Sequence, residues 1–153
     1  MTTINTCKVV GTCGLGLVTG MLATFPLLVT PAILANETSN GASKAFASFT
    51  QRAQRLVTGI YTTSACAFAA AFLLSPRQAR HPYLLYAMLG LPLGAGWGVL
   101  VMAPVTHDIV VSANGEQLGQ RMEQWNRRHY GQTAIAACAF VLSVVGLHGD
   151  WVV

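Results

Sequence analysis

The stretch Arg80-His81-Pro82-Tyr83-Leu84-Leu85-Tyr86-Ala87-Met88-Leu89-Gly90 decides the class of this protein. A basic, polar entry gives way to a proline suited to the first turn of a helix, then to a pair of tyrosines, then to an unbroken apolar run. That order describes a chain entering a bilayer, with charge outside, Tyr at the headgroup level and hydrocarbon beyond. Arg80, Tyr83 and Tyr86 are expected as interfacial anchors, and Pro82 as the start of a span that covers about 83–102.

The composition agrees. Of the 153 residues, 53% are hydrophobic and only 9% are charged, and the mean hydropathy is +0.51. A soluble domain carries about a quarter charged residues, so this chain lacks the polar surface to cover a globule. Its apolar residues fall in blocks whose length suits a bilayer crossing, about twenty residues. The expected fold class is all-α, an integral membrane bundle of four transmembrane helices, with an amphipathic interfacial helix before the last span. The whole chain reads as one membrane domain with spans at about 9–35, 56–74, 83–102 and 133–147.

Outward from the opening stretch, each block has its own signature. The first, from Cys7 to Ala35, is too long for a signal peptide and is expected to be retained, kinked near Pro26 or Pro31. Gly11, Gly16 and Gly20 along it are candidate packing positions. In the second, Gly59, Thr62, Cys66 and Ala70 stand at small-xxx-small spacing. In the third, Gly90, Gly94 and Gly98 make two overlapping G-x-x-x-G steps, with Pro92 between them and Trp97 alongside. Pro104 is expected to end that span. The polar stretch 36–55 reads as a connection, and Asn36-Glu37-Thr38 inside it is a formal glycosylation sequon. From Glu116 a helical pattern places Leu118, Met122, Trp125 and His129 on one side, with Glu123 and Arg127 paired at i, i+4. This segment is expected to lie against the headgroups, anchored by Trp125, Arg127, Arg128 and Tyr130, with Trp151 as a further anchor near the C-terminus.

Four spans place both termini on one side. Lys8, Arg77 and Arg80 lie there; Lys44, Arg52, Arg55, Arg121, Arg127 and Arg128 lie opposite. The Lys/Arg bias puts the two longer connections in the cytosol. The net charge of +4 is spread over connections and forms no dense basic face, so nucleic acid is not an expected partner; the bilayer is. Cys7, Cys13, Cys66 and Cys138 include no C-x-x-C pair and read as buried packing thiols.

Chemistry is sparse. No P-loop, dinucleotide fingerprint, nucleophile elbow or zinc motif occurs, and neither a cofactor nor a metal is expected. None of the carboxylates falls inside an expected span, which argues against a proton-coupled transporter or a charge-lined channel. One constellation has chemical potential: His107, Asp108, Trp125, Asn126 and His129. If the amphipathic helix folds back over the end of the third span, His107 and His129 face one pocket, and a histidine there can act as a base toward an apolar, weakly acidic substrate. The alternative is that both histidines are polar residues at the interface.

The block Arg80–Leu89 closely resembles the R-H-P-Y-L-L-Y-x-M-L stretch of the fungal autophagy-related protein 33 family. The glycine-punctuated first span resembles that family's start, and Gly146-Leu147-His148-Gly149-Asp150 resembles its closing G-x-x-G-[D/E]. The resemblance implies a small, non-enzymatic, multi-span protein of the mitochondrial outer membrane, linked to selective removal of mitochondria and meeting other membrane or autophagy proteins through cytosolic loops. Yeast-type members carry a long polar insert before the last span; here that connection is short. A second, looser similarity joins Met102-Ala103-Pro104-Val105-Thr106-His107-Asp108 and Gln124-Trp125-Asn126-Arg127-Arg128-His129-Tyr130 to the anthrone-oxygenase-like four-span family. It implies an enzyme of the endoplasmic reticulum membrane that oxidises an anthrone to an anthraquinone without a known cofactor, with the His107–His129 constellation as its site.

Overall fold

The computed structural model describes residues 2–36, 39–76, 82–112 and 116–152. These residues form helices α1 (Thr2–Thr24), α2 (Thr30–Asn36), α3 (Ser39–Leu74), α4 (Pro82–Trp97), α5 (Ala103–Ser112) and α6 (Glu116–Val152). Two π-helical turns, Phe25–Val29 and Gly98–Met102, join α1 to α2 and α4 to α5 without a break. The result is four long rods, each long and apolar enough to cross a membrane: Thr3–Ala35, Gly41–Leu74, Pro82–Val111 and Gln117–His148.

The rods alternate in direction. Phe68 of α3 meets Gly11 of α1 while Phe49 meets Phe25, and Ala139 of α6 meets Gly90 of α4 while Gln132 meets Gly98. α1 packs on α3 and α6, and α4 packs on the same two, so the four close into a ring. The outward faces are apolar: Leu17, Leu28, Leu73, Leu93, Val145 and above all Leu100, 78% exposed, project away from the bundle. Around a water-soluble protein such a surface would aggregate; around this one it is the lipid-facing surface.

The prolines widen the helices where a break is expected. Each π turn ends two residues before a proline, Pro31 or Pro104. A proline ring crowds the carbonyl four residues back, and one extra residue in the preceding turn relieves that crowding. Thr30 N–H then bonds Phe25 O, and Ala103 N–H bonds Gly98 O, each five residues back. Pro104 therefore does not end the third rod, which continues to Ser112.

Most of the stretch expected as a connection is likewise helix, since α3 begins at Ser39 and runs through residue 55. Its buried stripe, Ala42, Phe46, Ala53, then Val57, Tyr61, Ser64, Phe68 and Ala71, runs at steps of three, four and seven through both the polar and the apolar half. The amphipathic segment from Glu116 is helical and two-faced, but it is the first half of α6 and its apolar face turns inward. Leu118, Met122 and Trp125 are buried against Phe46, Ala42, Val105 and Ile109. With α3 and α5 extending to the same end, that stripe finds protein partners and has no need of headgroups. Trp125, expected as an interfacial anchor, is only 2% exposed.

The glycines sort into two kinds. A Cβ on Gly11 or Gly16 would fall 2.9 Å from the ring of Phe68 or Phe140, and one on Gly90 would fall 2.5 Å from Cβ of Ala139. A Cβ on Gly94 meets the Tyr61 hydroxyl at 2.9 Å, and one on Gly98 meets Gln132 at 3.3 Å. Gly20 and Gly59 meet nothing within 4 Å, so neither is a packing glycine of this fold. The small-residue face containing Gly59, Thr62 and Cys66 points outward; α3 offers its larger side chains to the glycines of α1 instead. Gly14, Gly131 and Gly146, unmarked by any regular repeat, pack against Ser64, Trp97 and Tyr83. Cys13, Cys66 and Cys138 are exposed rather than buried, and all four cysteines are free thiols. Tyr83 is half-buried and Tyr86 and Tyr130 are exposed. Arg80, the sequon's Glu37 and Thr38, and the side chain of Trp151 lie outside the described residues.

Candidate functional site

Three of the residues that the sequence singles out, His107, Trp125 and His129, converge where the apolar and polar lengths of the bundle meet. Pro26 prepares the place. In a regular helix the carbonyl of Leu22 accepts from the N–H of residue 26, and proline has none. That carbonyl is taken up from across the bundle by Nε2 of His129, at 3.1 Å. A carbonyl oxygen can only accept, so Nε2 carries the hydrogen, and in the neutral ring Nδ1 is left as an acceptor. His129 is 4% exposed, and its Nδ1 has no partner among the described residues.

Aromatic side chains hold the ring in place. Trp125, one turn earlier on α6, stacks on His129 with centroids 4.4 Å apart and planes 13° from parallel. Phe25 closes on both rings, 5.5 Å from His129 and 6.0 Å from Trp125, and Phe46 meets Trp125 edge-on at 5.1 Å. Trp125 Nε1–H donates to Thr106 Oγ1 at 2.9 Å, and Thr106 in turn donates to Met102 O within the second π turn. Trp97 Nε1–H donates to Arg128 O at 3.0 Å, and Gln132 Nε2–H to Gly94 O at 3.3 Å. The indole N–H groups of Trp97 and Trp125 therefore each have an acceptor on a neighbouring helix.

Beside this cluster lies a cavity of about 390 Å³, a size typical of small-molecule sites. Leu22, Phe25, Ala53, Val57, Met102, Trp125 and His129 line its interior, and exposed Gln54, Ala103, His107 and Val110 surround its mouth between α3 and α5. Both π turns contribute to its wall, through Phe25 and through Gly98 and Met102.

Of the five residues in the sequence constellation, the structure brings His107, Trp125 and His129 to this cavity. Asp108 faces elsewhere and pairs with Arg121 at 3.0 Å, and Arg127 pairs with Glu123 at 2.7 Å at the expected spacing. Asn126 does not line the cavity; its Oδ1 is buried without a partner among the described residues. Thr50, Gln54, Thr106 and Gln132 are lining residues that sequence reasoning missed. Thr50 continues the buried stripe of α3, and that register was the available signal. No cluster of three or more metal-ligating side chains exists among the described residues.

Comparisons with known proteins decide the lineage. The sequence model of autophagy-related protein 33 matches residues 1–114, which include α1 to α5. The chain belongs to the autophagy-related protein 33 family. It is 27% identical to the autophagy-related protein 33 of Gibberella zeae over 183 aligned positions, covering 97% of this chain and 92% of that relative. No solved structure matches. The similarity to anthrone-oxygenase-like proteins gains no support from these matches. The family match ends before α6, so Trp125 and His129, which form the aromatic wall of the cavity, lie beyond it.

Proposed function

We propose that this chain acts as one four-span unit of the mitochondrial outer membrane in the autophagic turnover of mitochondria, without a chemical step of its own. The observation that carries this reading is family membership, supported by a relative aligned along nearly the whole chain and named for autophagy. The four apolar rods fit residence in a bilayer, which would be its first partner. Lys44, Arg52, Arg55, Arg121, Arg127 and Arg128 gather at the end of the bundle that carries Ser39 and Glu116, and the Lys/Arg bias favours the cytosol for that end. Two of the rods extend there as polar-surfaced helix, α3 from Ser39 and α6 from Glu116, and offer a helical surface to other membrane or autophagy proteins in place of loops.

The test has two arms. A fluorescent tag at the native locus should coincide with an outer-membrane marker, and coincidence with the endoplasmic reticulum would refute the location. Deletion should delay delivery of a mitochondrial matrix reporter to the vacuole during starvation. Delivery at the normal rate in a clean deletion would refute the role.

A further inference from the structure

The cavity between α3, α5 and α6 has the features of a binding site for a molecule drawn from the bilayer. Its place is the first feature. It lies where the apolar lengths of the rods give way to the polar extension, and Val110, exposed and apolar, stands at its mouth. A lipid-soluble molecule reaches such an opening sideways, without leaving the membrane. The second feature is the charge of the wall. No Asp, Glu, Lys or Arg lines the cavity, so an ionised ligand would lose its hydration with no counter-charge in return. The third is the unmatched polar groups. His129 Nδ1 is an acceptor without a donor, and Thr50 Oγ1 is a hydroxyl without a partner among the described residues; both side chains belong to the wall. Buried polar groups in folded proteins are nearly always satisfied, and two unsatisfied ones in a single cavity point to a missing third party. The fourth is the backbone. Two π turns, a helix irregularity frequent at functional sites, both contribute to the wall of this cavity.

We propose that the cavity binds a neutral lipid alcohol, an apolar body bearing one hydroxyl group. The hydroxyl donates to His129 Nδ1 and accepts from Thr50 Oγ1, and the apolar body lies along Phe25, Val57 and Met102. Neighbouring side chains cover both polar atoms, so entry of the hydroxyl takes a local side-chain adjustment. Binding is reversible and no bond of the ligand is broken. The proposal is independent of the role in mitochondrial turnover and survives or fails separately from it.

The full chain, purified in phosphatidylcholine nanodiscs, is titrated with ergosterol and with farnesol, with the methyl ether of each, and with farnesoic acid. Thermal melting and tryptophan fluorescence report binding. At least one alcohol should bind saturably, and which of the two does so tells a fused-ring body from a flexible chain. Its methyl ether, which cannot donate, should bind about tenfold more weakly, the loss expected when a buried acceptor stays unmatched. The acid should bind more weakly than the alcohol. His129→Phe keeps an aromatic ring in the stack and should erase the difference between alcohol and ether. Ala103→Phe narrows the exposed mouth and should abolish saturable binding even if His129→Phe fails to fold. Absence of saturable binding by both alcohols, an ether or acid that binds as tightly as its alcohol, or full binding by Ala103→Phe would each overturn the proposal.

Discussion

The two halves of this bundle solve the same packing problem with different chemistry. Toward the end that carries the termini, helices touch through small residues set against large ones: Gly11 under Phe68, Gly16 under Phe140, Gly90 against Ala139 and Gly146 under Tyr83. Toward the other end the core is aromatic and thioether-rich, with Phe25, Phe46, Met102, Met122 and Trp125. There side chains also bond from one helix to the next, as in Trp125 to Thr106, His129 to Leu22 and Ser43 to Ile109. The difference follows from the solvent. In hydrocarbon, burying a leucine gains nothing over leaving it in lipid, so association depends on close contact and glycine permits it. Where the rods leave hydrocarbon, burying aromatic surface is favourable in itself. Lys8 shows what the terminal half tolerates. It is 6% exposed, with Nζ 5.9 Å from the centre of the Tyr83 ring, so its charge rests on an aromatic face.

The largest expected effect falls on the aromatic half. Trp125→Ala removes a ring in contact with Phe25, Phe46 and His129 together with the donor to Thr106. Truncation of a buried Trp of this kind costs about 3–5 kcal/mol. Steady-state abundance and the melting temperature in detergent should both drop sharply, and an unchanged melting curve would remove Trp125 from the core. Next comes the glycine half. Gly90→Leu forces a side chain against the Ala139 backbone and Cβ, an overpacking that costs about 1–3 kcal/mol. Gly90→Leu combined with Ala139→Gly should recover part of the loss, as expected if the two positions share one contact.

What the sequence revealed, and what it hid, divides along the same line. Four apolar runs near bilayer length disclose the number of rods, because hydrocarbon permits little else. The ends of the rods were hidden, because outside hydrocarbon a helix can be built from Ser, Asn, Gly and Ala, the residues that also make loops. The stripe Ala42-Phe46-Ala53-Val57 was the legible clue, for it continues the register of the span. Glycine spacing marks positions on α4 where a Cβ would meet a neighbouring helix, and one on α3, Gly59, where it would meet nothing. Small residues are needed on only one partner, and α1 supplies them here through Gly11 and Gly14. The convergence of His107, Trp125 and His129 was visible as a possibility of helical spacing. The role of Pro26, which releases the carbonyl that His129 uses, depends on a neighbour more than a hundred residues away, and only the fold supplies it.

That role has a test of intermediate size. Pro26→Ala restores an N–H four residues beyond Leu22, which then competes with His129 for the Leu22 carbonyl. The expected change in stability is that of one hydrogen bond, about 0.5–1.5 kcal/mol. The sharper readout is nitrogen NMR of the imidazole. The wild-type ring should show one tautomer with the hydrogen on Nε2, and the variant a mixture. A single unchanged tautomer in Pro26→Ala would show that Leu22 does not orient the ring.

The smallest effect is expected at Gly59, and its size is informative because it is small. Gly59 belongs to the face that sequence spacing marks for packing, with Thr62 and Cys66, yet a Cβ there meets nothing within 4 Å. Gly59→Leu adds a side chain that points away from the bundle, so the isolated chain should change by no more than about 0.5 kcal/mol, the range of neutral surface substitutions. Gly90→Leu places the same side chain on the same kind of motif and should cost the larger amount, about 1–3 kcal/mol of overpacking. The pair isolates what a glycine repeat means: it permits close approach, and only a neighbour turns that permission into a contact. If Gly59→Leu proved as damaging as Gly90→Leu in detergent-solubilised monomer, α3 would have to be rotated relative to α1, and the contact between Gly11 and Phe68 would be wrong with it.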